Sequence, residues 1–374
     1  MQMSIEADVT ARYSAGAREK QAALCCPVTY DKELLALLPH EIVEKDYGCG
    51  DPSRYVRAGD SVLDLGSGAG KICYMAAQLV GPGGHVIGVD MNDDMLALAR
   101  KYQPQMAQRL GSDRVTFLKG YIQDLALDLA GMERHLAAHP VRTNADLIQL
   151  QAWQSAQRRD QPLIADASVD LVISNCVLNL VRDEDKQQLV REIFRVLKPG
   201  GRIAISDIVS DEPVPNHLKE NAELWTGCVS GAFHEEEFLR VFTEAGFVAV
   251  GYDKWDSRPW RVVEGIEFRS VTLTAVKGEG TECLDRGHAV IYRGPYASVS
   301  DDEGHVYPRG ARMAVCERTY RFLMQGPYQQ DFIGIEPVSL REPVRFCAPP
   351  GTRRPAAETK GGSHACCGAG SGCC

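Results

Sequence analysis

No apolar run in the 374-residue chain approaches the length of a membrane span, so no membrane-spanning role is expected. Positive charge is also short. Lys and Arg total 41 against 50 Asp and Glu, and a net charge of −9 argues against coating a nucleic acid. Met1 to Val9 carries Glu6 and Asp8 and lacks the basic-then-apolar pattern of a secretory signal, so a cytoplasmic location is expected. No internal repeat is present, which excludes solenoids and propellers. Paired C-x-x-C spacings are absent around Cys73, Cys176 and Cys228, which argues against a closed structural zinc site.

Cysteine itself is not scarce. There are 13, an odd number that cannot pair completely within one chain. In a reducing compartment such thiols are buried apolar groups, soft ligands or redox groups.

The apolar periodicity alternates between strand and helix. Ser61–Leu65, His85–Val89, Val115–Lys119, Val169–Ser174 and Arg202–Ser206 read as strands, with helices between them. That alternation predicts an α/β fold with a mostly parallel sheet covered on both faces. A helix over 93–110 contains Pro104, where a kink or break is expected. Asp124–Asp166 is long for a connection and predicts an inserted helical pair. Met1–Leu38 reads as helical with a break at Cys25-Cys26-Pro27. Arg269–Val276 and Ala289–Tyr292 read as strands of a smaller α+β region. Pro349–Cys374 is rich in Pro, Gly, Ala and Ser and is expected to be flexible. The expected division is 1–48, an N-terminal helical segment; 49–226, the nucleotide-binding core; 227–282, an appended region; 283–348, the α+β domain; and 349–374, a cysteine-rich tail.

A glycine loop, Asp64-Leu65-Gly66-Ser67-Gly68-Ala69-Gly70, follows the first strand and opens a helix. Glycines there admit close backbone approach to a ligand, and the helix N-terminus offers free N–H groups. Asp90 ends the second strand, where a carboxylate reaches ribose hydroxyls. The spacing is not that of a dinucleotide cradle. It resembles the S-adenosylmethionine (SAM) fingerprint of class I SAM-dependent methyltransferases, with Asp124 near the adenine and a Lys198-Pro199-Gly200-Gly201 turn in order. Cys73 and Cys176 lie at carboxyl ends of strands, where ligands of open parallel sheets bind. Cys228 lies in a Gly- and Ser-bracketed turn that can fold back over the same crevice.

Tyr47-Gly48-Cys49-Gly50, Asp64–Tyr74, Ser174-Asn175-Cys176-Val177-Leu178-Asn179-Leu180 and Gly227-Cys228 together resemble the cysteine motifs of the arsenite SAM methyltransferases. The resemblance runs from Cys49 to Val276. It implies that Cys176 and Cys228, with Cys73, hold trivalent arsenic, and that Cys49 and Cys73 take part in binding and disulfide redox steps. It also implies cofactor contacts at Asp64, Gly66, Ser67, Gly68, Gly70, Asp90, Met91, Ile122 and Asn175. SAM would be the co-substrate and glutathione or thioredoxin the reductant, with a monomer as the working unit. Two departures stand out: Thr226-Gly227-Cys228 replaces the family's common Gly-Glu-Cys, and Asp124–Asp166 is longer than usual. No His or Asp base stands in the motifs, and an arsenic lone pair needs none. Two other readings stay open on the residues alone. One is a methyltransferase of an organic small molecule. The other is a thiol-based protein that sequesters metalloids without catalysis.

Overall fold

The computed structural model describes residues 5–21, 28–45, 47–325, 327–338, 342–346 and 351–359. Cys25, Cys26, Cys347 and the four cysteines after residue 360 lie outside the described residues. The chain divides into two compact units, Met1–Gly278 and Glu279–Cys374.

The first unit is built on one mixed sheet. Strands β1 (Ser61–Leu65), β2 (His85–Asp90), β3 (Val115–Lys119), β4 (Val169–Asn175) and β5 (Leu197–Ser210) run parallel. The order is β3-β2-β1-β4-β5, continued by β9 (Ile266–Lys277) and then β7 (Phe247–Trp255), both antiparallel to their neighbours. Two-residue β6 (Phe233–His234) pairs with the far end of β5, and β8 (Arg261–Val263) folds onto β9. Period-2 alternation sends Val62, Ile173 and Ala204 to one face and Leu63, Val172 and Ile205 to the other. Both faces are buried, as parallel strands require.

Helices α4 (Lys71–Val80), α5 (Asp93–Lys101), α6 (Gln103–Leu110), α9 (Asp183–Val196) and α12 (Glu235–Glu244) cover the faces, α7 (Leu129–Ala138) and α8 (Asn144–Asp160) lie outside them, and α1 (Ile5–Arg18) crosses the ligand end. Shorter turns of helix are α2 (Lys32–Ala36), α3 (His40–Glu44), α10 (Asn216–Lys219) and α11 (Ala222–Thr226). The expected helix over 93–110 is two helices. Pro104 sits in the first turn of α6, where its missing N–H costs nothing. The inserted pair over 124–166 is present as α7 and α8, and α8 opens with a Thr143–Asp146 capping box.

The chain leaves β1 outward to β2 and β3, then crosses back to β4 and β5. The reversal opens a crevice beyond the carboxyl ends of β1 and β4. Strand β5 runs on past the expected Ser206 to Ser210, so it carries Asp207 and Ile208 under that crevice. Arg269–Val276, expected in the small α+β region, instead forms the middle of β9 in the main sheet. Val271, Leu273 and Ala275 from that stretch complete the core beyond β5. Residues 233–277 thus add α12 and four strands to this sheet.

The second unit packs a three-stranded sheet, β14 (Arg312–Ala314), β11 (Ala289–Tyr292) and β15 (Phe332–Ile335), against α13 (Glu317–Gln325). Val290, Tyr307, Met313, Leu323 and Phe332 form its core. Two small pairs complete it: β10 (Leu284–Asp285) with β16 (Val344–Arg345), and β12 (Ser298–Ser300) with β13 (Val306–Pro308). Composition predicts a flexible tail from Pro349, yet 351–359 is docked. Buried Arg354 reaches Asp285 at 2.6 Å and Glu358 at 3.1 Å, and Arg353 bridges to Met313. The Arg354–Asp285 pair anchors the segment, and the Glu358 pair closes within it. Arg354→Ala is expected to destabilise this unit by about 2–4 kcal/mol. Amide hydrogen exchange over 351–359 should then rise to that of an exposed peptide; unchanged protection would contradict the anchor.

Candidate active site

The glycine loop folds tightly beneath the crevice. Gly66 and Gly68 have left-handed φ of 70° and 51°, which favours glycine. A Cβ on Gly66 would lie 2.4 Å from the Val177 side chain, so the loop packs directly on the turn after β4. The Gly66 and Ser67 amides bind the Val89 carbonyl, and Gly68 N–H donates to Asp90 Oδ2 at 2.8 Å. Asn92 N–H takes the other oxygen, also at 2.8 Å. Desolvation pushes the Asp90 carboxyl up from its ordinary value, while the amides of Asn92, Gly68 and Met91 pull it down.

The crevice is a cleft of about 910 Å³ including its open mouth. Of the residues named as cofactor contacts, Gly66, Gly68, Asp90, Met91 and Ile122 line it, together with Gln123 and Cys176. An adenosyl group fits this lining. Asp90 offers a carboxylate to hydroxyls, Met91 and Ile122 offer apolar surface, and the glycines leave backbone exposed to a ligand. Asp124 is not in the lining. Its carboxylate is held at 2.8 Å by Arg158 of α8, so it ties down the inserted pair and Gln123 faces the cleft instead.

Other expected contacts sit outside the cleft lining. Asp64 is buried and accepts the Cys73 thiol at 3.1 Å. Ser67 is buried beside Gly88 of β2. Gly70 starts α4 at φ 87° and packs on Phe117. Asn175 clamps the Cys49 turn. Its Oδ1 accepts N–H from both Cys49 and Gly50 at 3.0 Å, and its amide donates to the Gly50 carbonyl at 2.9 Å. A Cβ on Gly48 would strike that amide at 2.2 Å, which accounts for glycine there.

The cysteines fall into two places. Cys176 and Cys228 both have left-handed backbones, φ 65° and 59°, uncommon for any residue but glycine. The Cys228 thiol donates to the Cys176 carbonyl at 3.0 Å. Cys49 joins Cys176: its sulfur, the Cys176 sulfur and a carboxylate oxygen of Asp207 lie within 4.8 Å of one another. Cys73 is outside that group. It faces the sheet, enclosed by Asp64 and Gly88.

Two roles had no sequence signal. The first is that of α1, which reads as helical in the sequence without any mark of its place: its Val9, Thr10 and Tyr13 roof the cleft. It is fastened by Asn92 to the Thr10 carbonyl at 3.0 Å, by Arg12 to Thr226 at 2.7 Å, and by an Arg182–Glu6 ion pair. The Tyr13 hydroxyl lies 3.8 Å from the Cys228 sulfur. Burial, then the nearby Cys228 and Cys176, push that hydroxyl well above its ordinary value, so it stays protonated.

The second is that of Asp207. This residue is wholly buried and accepts N–H from Leu178 at 2.9 Å and from Ile208 at 2.8 Å. Burial pushes its carboxyl from 3.8 up to about 6, against the pull of those amides, the Asn179 amide and the Lys186 cation. Folding therefore strengthens its hold on a proton. The resulting stability, on the order of 3 kcal/mol, is complete below pH about 4 and lost as pH rises through about 6. Asp207→Asn sets an NH2 group against a backbone N–H and is expected to cost about 1–3 kcal/mol at pH 7. In chemical denaturation the gap between wild type and variant should widen from pH 7 to pH about 4.5. A constant or narrowing gap would contradict a raised Asp207.

Comparison with known proteins agrees with this geometry. A family model described as a methyltransferase domain matches residues 57–246, and one described as a domain of unknown function matches 279–364. The chain is 32% identical over 328 residues to the arsenite methyltransferase of Aquipseudomonas alcaligenes, covering 83% of this chain and 84% of that one. It is 30% identical over 318 residues to the arsenite methyltransferase of Mus musculus, covering 82% and 74%. The crystal structure of CrArsM, an arsenic(III) S-adenosylmethionine methyltransferase from Chlamydomonas reinhardtii, superposes with a TM-score of 0.58 at 27% identity, covering 86% of this chain and all of that one. Sheet order, glycine loop and relatives agree: the fold is that of a class I SAM-dependent methyltransferase, and the chain belongs to the arsenite methyltransferase family.

Proposed function

We propose that the protein methylates trivalent arsenic bound to its own cysteine thiols, as a detoxification step. The observation that carries this reading is the meeting of two cysteines on left-handed backbones: Cys176, which lines the cleft, and Cys228, whose thiol donates to the Cys176 carbonyl. Arsenic(III) is soft and exchanges oxygen ligands for sulfur, releasing one water for each thiol bound. Asp90, Met91, Ile122 and the Gly66–Gly68 backbone hold the co-substrate, which supplies a sulfonium-activated methyl that an arsenic lone pair can take. The chain's part is placement. Cys176 and Cys228 fix the arsenic, and α1 with Tyr13 shuts water out from above. No proton leaves arsenic in such a transfer, so the site needs no general base.

Cys49 lies beside Cys176, and Cys73 is held by Asp64. On this reading Cys73 becomes a third arsenic ligand by leaving Asp64, and then pairs with Cys49. Forming that disulfide releases two electrons, which return pentavalent arsenic to the trivalent state. Thioredoxin or glutathione would reduce the disulfide again by thiol exchange. The same reading takes a monomer in the cytoplasm as the working unit.

The test is incubation with arsenite, glutathione and SAM, followed by speciation of arsenic. Methylated arsenic is expected. Arsenic bound without product would favour sequestration, and neither would favour an organic substrate. Cys176→Ser and Cys228→Ser should each lower methylation about 100-fold or more while SAM affinity stays within about twofold. Asp90→Ala should do the reverse, weakening SAM about 10- to 100-fold with arsenite binding intact. A Cys73→Ser protein that methylates at the wild-type rate would sink the three-thiol scheme.

A further inference from the structure

Asp207 takes no part in the methyl transfer, yet it stands among thiols that do. The sulfurs of Cys49 and Cys176 and one of its carboxylate oxygens lie within 4.8 Å of one another. Among the described residues no other three ligand atoms of His, Cys, Asp or Glu meet as closely. Each of the three is fixed from behind. The Leu178 and Ile208 N–H groups hold the carboxylate, and Cys176 N–H is held by the Ser206 carbonyl at 2.7 Å. The Cys49 backbone is held by Asn175 at 3.0 Å and by the Ser270 hydroxyl at 2.6 Å. Such outer contacts orient ligands before a metal arrives. The carboxylate also lacks a counter-ion. It is wholly buried and makes no ion pair among the described residues. The Lys186 ammonium is committed to Asp183 at 2.6 Å and to the Gly231 carbonyl at 2.7 Å. An anion buried without a paired cation is costly, and a cation bound between it and the thiols removes that cost.

We propose that Cys49, Cys176 and Asp207 form a site for a soft divalent cation of the zinc and cadmium class. The cation, two thiols and the carboxylate combine as M2+ plus 2 RSH plus RCO2−, giving M(SR)2(O2CR)− plus two protons, with no change of oxidation state. The donor set separates this site from that of arsenic. Arsenic(III) exchanges oxygen for sulfur and forms a neutral thiolate complex, so it has no use for Asp207. A divalent cation accepts a carboxylate beside thiolates and brings the charge that Asp207 lacks. Around a tetrahedral zinc, sulfur and oxygen ligand atoms stand about 3.5–3.8 Å apart, so closure needs shifts on the order of 1 Å. Three protein ligands leave a fourth position, and Cys176 lines the cleft, so a water or an outside thiol can reach it. An open site of this kind does not call for paired C-x-x-C spacing. Cation and arsenic share Cys176, so each excludes the other; that rivalry, unlike the binding itself, rests on the arsenic reading above.

The test is cadmium-113 NMR on the reduced full-length chain titrated with cadmium, since each bound cadmium gives its own resonance and sulfur and oxygen ligands shift it differently. One resonance of mixed sulfur–oxygen coordination is expected. It should be lost in Cys49→Ala, Cys176→Ser and Asp207→Asn and kept in Cys228→Ala. Zinc should remove it and an excess of magnesium should not. Asn175 and Ser270 hold the Cys49 turn through its backbone, so Cys49→Ala keeps that turn and decides the matter even if Asp207→Asn folds poorly. A spectrum that Cys49→Ala leaves unchanged would overturn the proposal. So would cadmium resonances of sulfur-only coordination alone, or a resonance that magnesium removes as readily as zinc. Cadmium binding does not depend on methylation. The resonance without methylated arsenic in the activity assay would fault the function, and methylated arsenic without the resonance would fault only the cation site.

Discussion

The active site depends on how the turn after β4 is fastened to β5. Cys176 N–H donates to the Ser206 carbonyl at 2.7 Å, and two residues on Leu178 N–H donates to the buried Asp207 carboxylate. Between those bonds the backbone is held left-handed, at a cost of about 1–3 kcal/mol for a residue other than glycine. The charge-assisted bond to Asp207, of about 1.5–3 kcal/mol, offsets that strain. The rest is built on this turn. The Gly66 loop packs on Val177, the Cys228 sulfur binds the Cys176 carbonyl, and Asn179 donates to the Ile208 carbonyl at 2.7 Å. Asn175, one residue before Cys176, brings in the Cys49 turn. Three thiol-bearing segments far apart in sequence are thereby positioned by one strand end.

A soft-ligand site needs thiols that are near one another without being a structural staple. Each sulfur here is placed by its backbone rather than by packing alone. Cys176 is fixed by β5, Cys228 by Trp225 and Leu224 carbonyls that bind the amides of its turn, and Cys49 by Asn175 and the Ser270 hydroxyl. Helix α1 then covers the cleft through ion pairs and side-chain-to-backbone bonds at its surface. Contacts of that kind open at lower free energy than a packed core, as suits an element that must admit a substrate.

Much of this was legible in the sequence, and the failures share a cause. Strand–helix alternation predicted the five parallel strands, because period and turn chemistry are local. The glycine loop and Asp90 were legible for the same reason, since a strand end and a helix start fix where they point. The antiparallel strand β9 was assigned to the wrong unit, because the β5 residues it pairs with lie far away in sequence, from Ser210 opposite Phe268 to Arg202 opposite Val276. Asp207 was missed because one extra turn of strand beyond Ser206 carries no local mark. Asp124 and Asn175 have the residue type and position of ligand contacts, yet each spends its hydrogen bonds on the scaffold. Arg354 shows the reverse case, where a single buried ion pair orders a segment that composition marks as loose.

The most direct test is X-ray absorption at the arsenic edge on the protein loaded with one equivalent of arsenite, with Cys176→Ser and Cys228→Ser in parallel. Arsenic held by the thiols at the cleft predicts a sulfur-only first shell in the wild type and an oxygen replacing sulfur in each variant. An identical first shell in all three proteins would contradict the assignment of Cys176 and Cys228 as the residues that hold arsenic.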